Sequence, residues 1–204
     1  MTTPTKAALR AKVLAARSGV ADAVRTAEAR TLSEHVELVV TSGSTVCAYV
    51  PVGTEPGSIE MLDMLLQRSR RVLLPVARTT GPENKGMPLP LRWGEYRQGA
   101  LVRGPWGLLE PPEPVLPESV LGEADLVIVP ALAVDRRGVR LGRGRGFYDR
   151  SLAARAAQAR LLAMVRDEEF VDELPAEAHD VPMTHVVTPQ RGVTAVFPGG
   201  HTGE

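Results

Sequence analysis

Hydrophobic positions along the chain change period several times, and the changes mark out its elements. Residues 4–17 carry apolar residues at helical spacing. Thr3 before Pro4 reads as a capping residue followed by proline at the first helical position. Lys6 and Arg10 stand four apart and share one face of that helix. A second helix is expected from about Val20 to Val40, ending near Gly43. From Thr45 to Val50 the run is continuous and strand-like, and stops at Pro51. Residues 59–70 return to helical spacing, with Ile59, Leu62, Leu65 and Leu66 on one side.

Further strands are expected at Arg71–Leu74, Asp125–Val129, Leu161–Val165 and, last, His185–Thr188. Residues 88–93 read as extended, and a helix is predicted over Phe147–Gln158. The glycine- and proline-rich stretch 104–117 reads as an ordered surface loop. Helices and strands alternating at these lengths predict an α/β fold. Its sheet is expected to be mostly parallel. Three strands are expected to end at a proline, in Val50-Pro51, Leu74-Pro75 and Val129-Pro130. Proline cannot donate to a ladder and suits a strand end. Ligands gather at the carboxyl ends of strands in open parallel sheets, so chemistry is expected just after those prolines. One domain over residues 1–188 and a partly flexible tail over 189–204 complete the expected organisation.

Composition narrows the class. The chain has 204 residues, with 24 basic and 24 acidic side chains. That balance gives no reason to expect nucleic-acid or membrane attraction. The N-terminal stretch lacks the apolar core of a signal peptide. The longest nearly apolar run, Leu126 to Val134, is interrupted by Pro130 and is too short to span a bilayer. A single cysteine, Cys47, excludes an internal disulfide and reads as a buried apolar filler. A cytoplasmic protein is expected. The few aromatic residues each invite a reason, and Trp93 and Trp106 are read as packing residues.

The chemistry concentrates between Arg136 and Arg150, where six arginines fall in fifteen residues. Gly142, Gly144 and Gly146 alternate with Arg143 and Arg145 between a strand and a helix. Glycines let backbone N–H groups approach an oxyanion, a helix start adds partial positive charge, and guanidinium groups match phosphate oxygens. That convergence suits a polyphosphate. The spacing is neither a Walker A loop nor the dinucleotide fingerprint. An RNA-contacting basic segment is the competing reading. Asp149 follows the loop, and a carboxylate beside bound phosphate is what Mg²⁺ requires. Asp180, in a turn before the expected last strand, offers a second carboxylate. Acids in the site favour a metal–phosphate role over RNA.

Leu126-Val-Ile-Val-Pro-Ala-Leu-Ala-Val-Asp135, followed by Gly138-Val-Arg-Leu-Gly-Arg-Gly-Arg-Gly-Phe-Tyr-Asp-Arg150, resembles the signature of the 5-formyltetrahydrofolate cyclo-ligase family. Lys6 with Arg10, Tyr49 to Glu55, Gly107-Leu-Leu-Glu-Pro111, and His179-Asp180 with Val186-Val-Thr188 are similar to further family motifs in the same order. The resemblance implies a three-layer α/β/α fold and ATP-driven cyclisation of 5-formyltetrahydrofolate to 5,10-methenyltetrahydrofolate by a monomer that uses Mg²⁺. It implies ATP contacts from Lys6, Arg10, Arg140, Leu141, Gly142, Arg143, Gly144, Arg145, Gly146, Phe147 and Tyr148. Folate, free or polyglutamylated, would meet Val50, Glu55, Arg143, Gly144, Arg145, Gly146 and Phe147. Asp149 and Asp180 would hold Mg²⁺, and Arg143, Arg145 and Tyr148 are the candidate catalytic residues. Arg145 stands where many members have lysine, and Phe147 where tyrosine is usual. A relative that keeps the ATP site but acts on another substrate is the alternative.

Overall fold

The computed structural model describes residues 5–81, 86–177 and 180–196. Helix α1 spans Lys6–Ser18, and the Thr5 hydroxyl caps it by accepting from the Ala8 N–H at 3.2 Å. The cap is therefore Thr5, while the expected Thr3-Pro4 start lies outside the described residues. Helix α2 spans Asp22–Glu37, shorter at both ends than expected. Strand β1 is Thr45–Cys47, and α3 is Ile59–Arg68, capped by Ser58. On α3 it is Met61, Leu62 and Leu65 that are buried, and Ile59 is exposed.

Strand β2, Arg71–Val76, continues through Pro75 instead of stopping before it. Its parallel pairing with β1 is registered only as far as Leu73, so the missing N–H of Pro75 falls where one side is already free of β1. The other side pairs antiparallel with β3, Arg92–Glu95, the observed form of the extended piece expected at 88–93. The expected loop 104–117 contains short strands. After β4, Val102–Arg103, come β5, Leu109–Glu110, which pairs with it, and β6, Val115–Leu116. Then follow β7, Leu126–Pro130, β8, Ala133–Asp135, and β9, Arg140–Leu141.

The helix predicted over Phe147–Gln158 is α4, Phe147–Ser151, with a single 3-10 turn at Leu152–Ala154. Propensity favours a longer helix through the alanines. Arg155 instead adopts an extended backbone and its guanidinium caps the Leu152 carbonyl at 2.9 Å. The chain must turn back here, because Arg160 is already paired with Leu126. Strand β10 is Arg160–Met164, β11 is Phe170–Val171, and β12 is His185–Thr188. Strand β12 was expected to be the last, yet β13, Gly192–Ala195, pairs with it antiparallel. The Asp167 carboxylate ties the turn between them by accepting from the Thr188 hydroxyl at 2.6 Å. The start of the expected flexible tail is thus paired strand, and residues 197–204 lie outside the described residues.

The main sheet has the order β13-β12-β10-β7-β1-β2-β3-β6. Its centre, from β12 to β2, is parallel, as βαβ-type connections require, and both edges are antiparallel. Alternation along the strands gives two apolar faces. Val46, Leu74, Ile128 and Met164 meet α2 and α3 through Val36, Met61 and Leu65. Cys47, Leu73, Val129 and Ala163 meet Trp93, Leu121 and Leu152 on the other face, where short turns and α4 form the third layer. Cys47 is buried, and burial pushes its thiol up, as a core filler requires. A small second sheet, β11-β8-β9, packs Leu132 and Leu141 against Leu9 and Val13 of α1. This places α1 beside the segment that leaves β9. No helix among the described residues is long and apolar enough to cross a membrane.

Candidate active site

The carboxyl ends of β1, β2 and β7 open into a cavity of about 340 Å³. Val50, Pro75 and Pro130 form its floor, so each of the three proline-flanked segments chosen from sequence contributes to one site, although β1 ends at Cys47 rather than at the expected Val50 and β7 includes Pro130. The loop from Gly142 to Asp149 makes one wall, Trp106 to Glu110 makes another, and Glu55 contributes to the lining.

Glycine is required in the loop at two positions. Gly144 and Gly146 adopt φ of 90° and 76°, backbone that residues with a Cβ rarely enter. A Cβ at Gly144 would also lie 3.1 Å from the Arg10 guanidinium carbon, and one at Gly146 would collide with Arg150. Arg10 reaches the loop from α1 and donates to the Gly142 carbonyl at 2.9 Å. Arg10 is thereby joined to the loop, as expected. The helix after the loop has only five residues. Its dipole is small, so attraction for an anion rests on the loop's N–H groups and guanidinium groups rather than on a long helix.

The six arginines divide by partner. Arg136 pairs with Asp172, and Arg137 with Asp135, both away from the cavity walls. Arg140 is buried beneath the loop, where it pairs with Asp149 and lies 5.7 Å from the Tyr148 ring centroid. Arg143 pairs with Glu55 at 2.7 Å, which links the proposed folate glutamate directly to the loop. Arg145 lies 5.4 Å from the Trp106 ring centroid and 6.0 Å from that of Phe147. Arg150 donates to the Gly146 carbonyl at 3.1 Å. A set of arginines of which four are already countered by acids is poorly suited to act as a general RNA-binding patch.

Lys6 pairs with Asp180 at 3.0 Å and with Glu177 at 3.4 Å. Lys6 and Asp180 are not among the cavity walls, whereas Asp149 is. His179, beside Asp180 in the sequence motif, lies outside the described residues. Leu141 is buried in the cluster with Leu9 and Val13, which leaves only its backbone to the site. Glu55 is held ready by the Val52 N–H, which donates to its second oxygen at 3.0 Å. Burial pushes the Tyr148 phenol above its ordinary range, and the neighbouring Glu55 charge adds to that shift. The Tyr148 hydroxyl has no hydrogen-bond partner. A neutral donor is therefore present in the wall over the whole physiological range.

Trp106, Glu110, Arg17 and Glu169 lie near the site and were not among the site residues expected from the sequence. Trp106, read as a packing residue, lines the cavity; Trp93 does pack, buried in the sheet. Glu110 is buried in the wall and bound by both terminal nitrogens of Arg78, at 2.7 and 3.0 Å. Its place in Gly107-Leu-Leu-Glu-Pro111 was the only available sign. Arg17 is 1% exposed and forms a two-pronged ion pair with Glu169, at 2.6 and 2.7 Å. It also donates to the carbonyl of Ala131, a cavity residue, at 2.7 Å.

For a metal, Asp149 sits beside the loop and Asp180 near Lys6, and each is countered by a cation. Among the described residues, no group of three or more His, Cys, Asp or Glu is gathered as a site built from protein ligands alone would need. Mg²⁺ does not need one, because it keeps waters and phosphate oxygens and takes one or two carboxylates. The donor set fits Mg²⁺ arriving with a polyphosphate, and does not suit a resident ion.

The model of the 5-formyltetrahydrofolate cyclo-ligase family matches residues 2–189. A 5-formyltetrahydrofolate cyclo-ligase of Mycolicibacterium smegmatis is 56% identical over 196 residues, covering 96% of this chain and 100% of that protein. The Escherichia coli protein of the same name is 31% identical over 153 residues, 74% of this chain and 81% of its own. Among solved structures, the 5,10-methenyltetrahydrofolate synthetase of Aquifex aeolicus superposes with a TM-score of 0.71 at 25% identity, covering 98% and 96% of the two chains. The Mycoplasma pneumoniae 5,10-methenyltetrahydrofolate synthetase shares the fold, with a TM-score of 0.67 at 16% identity over 90% of this chain and 98% of its own.

Proposed function

The chain belongs to the 5-formyltetrahydrofolate cyclo-ligase family, and on that premise we propose that it couples ATP cleavage to closure of 5-formyltetrahydrofolate into 5,10-methenyltetrahydrofolate. The observation that carries this reading is the two-sided position of the Gly142–Gly146 loop. One side lines a mostly apolar cavity wide enough for a flat ring, and the other is held by Arg10 of α1. A loop so placed can present a phosphate to a group in the cavity.

The chemistry needs that arrangement because a formamide oxygen is a poor leaving group. In the proposed sequence the formyl oxygen attacks the γ-phosphorus and the bond to ADP breaks. The formyl carbon, now bearing a phosphorylated oxygen, is attacked by N10. The carbon–oxygen bond breaks, phosphate leaves, and the N10 proton is lost as the ring closes. Phosphoryl transfer asks an enzyme chiefly to position groups and neutralise charge. Lys6, Arg10, Arg143 and Arg145 supply the cations, and the loop glycines admit phosphate oxygens close to the backbone. Glu55 accepts from the donor edge of the pterin, and Tyr148 offers a neutral hydroxyl to the transferring group. When bound with ATP through Asp149 and Asp180, Mg²⁺ supplies further neutralisation of the phosphates. The protein acts as a cytoplasmic monomer in this reading, taking free or polyglutamylated folate.

Growth of methenyltetrahydrofolate absorbance on mixing the protein with 5-formyltetrahydrofolate and Mg-ATP is the expected outcome. Tight ATP binding with no such growth would assign the chain to a relative with another substrate and overturn the proposed reaction.

A further inference from the structure

Arg17 is buried, and the proposed reaction gives it no task. Its guanidinium grips both carboxylate oxygens of Glu169, and its Nη2 also donates to the Ala131 carbonyl at 2.7 Å. Its Nη1 is buried with no hydrogen-bond partner. A buried ion pair stabilises little more than an apolar pair of similar volume, and an unmet buried donor detracts further. Stability is therefore a weak reason for arginine at this position. A planar fork supplies something an apolar side chain does not, a fixed position and rotation for the helix that carries it.

That helix is α1, which also carries Arg10. Seven residues along a helix return to the same face within about 20°, about 10 Å further along the axis. Arg10 and Arg17 therefore reach out from one side of α1, and their acceptors are joined to each other. Arg17 holds the Ala131 carbonyl. The next residue, Leu132, donates from its N–H to the Leu141 carbonyl at 2.7 Å. Gly142 follows Leu141, and its carbonyl accepts from Arg10. The helix, the segment after β7 and the start of the loop thus close a ring of contacts. Glu169 is itself fixed by the Arg166 N–H, just beyond the end of β10, which refers the ring to the central sheet. Packing of Leu9 and Val13 is non-directional and by itself leaves the helix free to shift along and about its axis.

We propose that Arg17 is a positioning residue for the phosphate side of the site: clamped between Glu169 and the Ala131 carbonyl, it sets the register of α1 that brings Arg10 onto the Gly142–Gly146 loop. Arg17 is not among the cavity walls, so it acts through Arg10. The proposal rests on the proposed reaction for its ligand, ATP.

Two changes at Arg17 test this, each made alone and together with Arg10→Ala. Arg17→Lys keeps the charge and loses the fork. Arg17→Met combined with Glu169→Gln removes the guanidinium without leaving a buried carboxylate unpaired; if this pair does not fold, Arg17→Lys decides alone. Calorimetric affinity for Mg-ATP should fall by roughly tenfold in both, the order of one charge-assisted hydrogen bond lost. KM for 5-formyltetrahydrofolate should stay within about twofold, a split that a general loosening of the fold would not produce. With Arg10→Ala already in place, the Arg17 changes should weaken Mg-ATP by less than about twofold more, because the residue they position is gone. Mg-ATP affinity equal to that of the wild type, or losses that multiply in full with that of Arg10→Ala, would overturn the positioning role. A wild type that does not bind Mg-ATP would sink the proposed reaction instead. Amide hydrogen exchange at Gly142–Gly146 then decides on Arg17: faster exchange, matching that in Arg10→Ala, supports the register, and unchanged exchange overturns it.

Discussion

Asp180 and Lys6 illustrate how charges near this site are paired before any ligand arrives. The resemblance assigned one to a metal and the other to ATP, and in the structure each holds the other. The same exchange occurs between Asp149 and Arg140, and between Glu55 and Arg143. Cations that the proposed reaction assigns to phosphate are paired with acids that it assigns to Mg²⁺ or folate. A metal-free nucleotide must break such pairs without compensating the acids, whereas Mg-ATP satisfies both sides. Asp180→Asn should therefore strengthen metal-free ATP binding, by roughly two- to fivefold given the worth of partly exposed pairs. It should also weaken the gain on adding Mg²⁺. Calorimetry with a chelator present measures the first effect. Unchanged or weaker metal-free binding would show that Lys6 does not serve ATP.

Among the elements, α1 depends most on charged contacts for its place. Its exposed helix offers only Leu9 and Val13 to the small sheet. Lys6, Arg10 and Arg17 then fasten it at three points, to Asp180, the Gly142 carbonyl, and Glu169 with the Ala131 carbonyl. The Arg17 anchor is buried, and Glu169 also accepts from the Arg166 N–H at 2.9 Å. Removing one partner of a buried pair leaves an uncompensated charge. Arg17→Met should cost about 3–5 kcal/mol in urea unfolding. Loss of under about 1 kcal/mol would mean that water or a neighbouring cation replaces the guanidinium.

Across the whole molecule, the three tyrosines respond to pH alike. Burial is the main cause raising Tyr49, Tyr96 and Tyr148 above the ordinary phenol range, and nearby acids add to it in each case. The folded protein keeps these protons where an unfolded chain, with phenols near pH 10, releases them. Above about pH 10 the native state binds more protons than the unfolded one, so stability falls as pH rises. Below that value the three phenols contribute no pH dependence. Tyrosinate absorbance should accordingly appear together with loss of helical circular dichroism, in one alkaline transition. An early, separate rise would mean that at least one phenol is open to solvent in the native state.

The fold class, the position of the glycine–arginine loop and the three proline-flanked segments that line the cavity were legible in the sequence, because each depends on short-range pattern. Alternation sets the sheet faces, and Gly144 and Gly146 mark where the backbone must turn left-handed. The length of α4 was not legible, since alanine-rich sequence favours helix and only the pairing of Arg160 with Leu126 stops it. Nor were the partners of the charges. Lys6 meets Asp180 across 174 positions, and Arg17 meets Glu169 across 152. Nothing local distinguishes Trp106 from Trp93, yet one borders the cavity and the other fills the core. The amino-acid sequence by itself determined the fold class and which segments would gather at the cavity. Only the tertiary structure decided which acid neutralises which cation and which aromatic ring faces the cavity, because those choices depend on distances between segments remote in the chain.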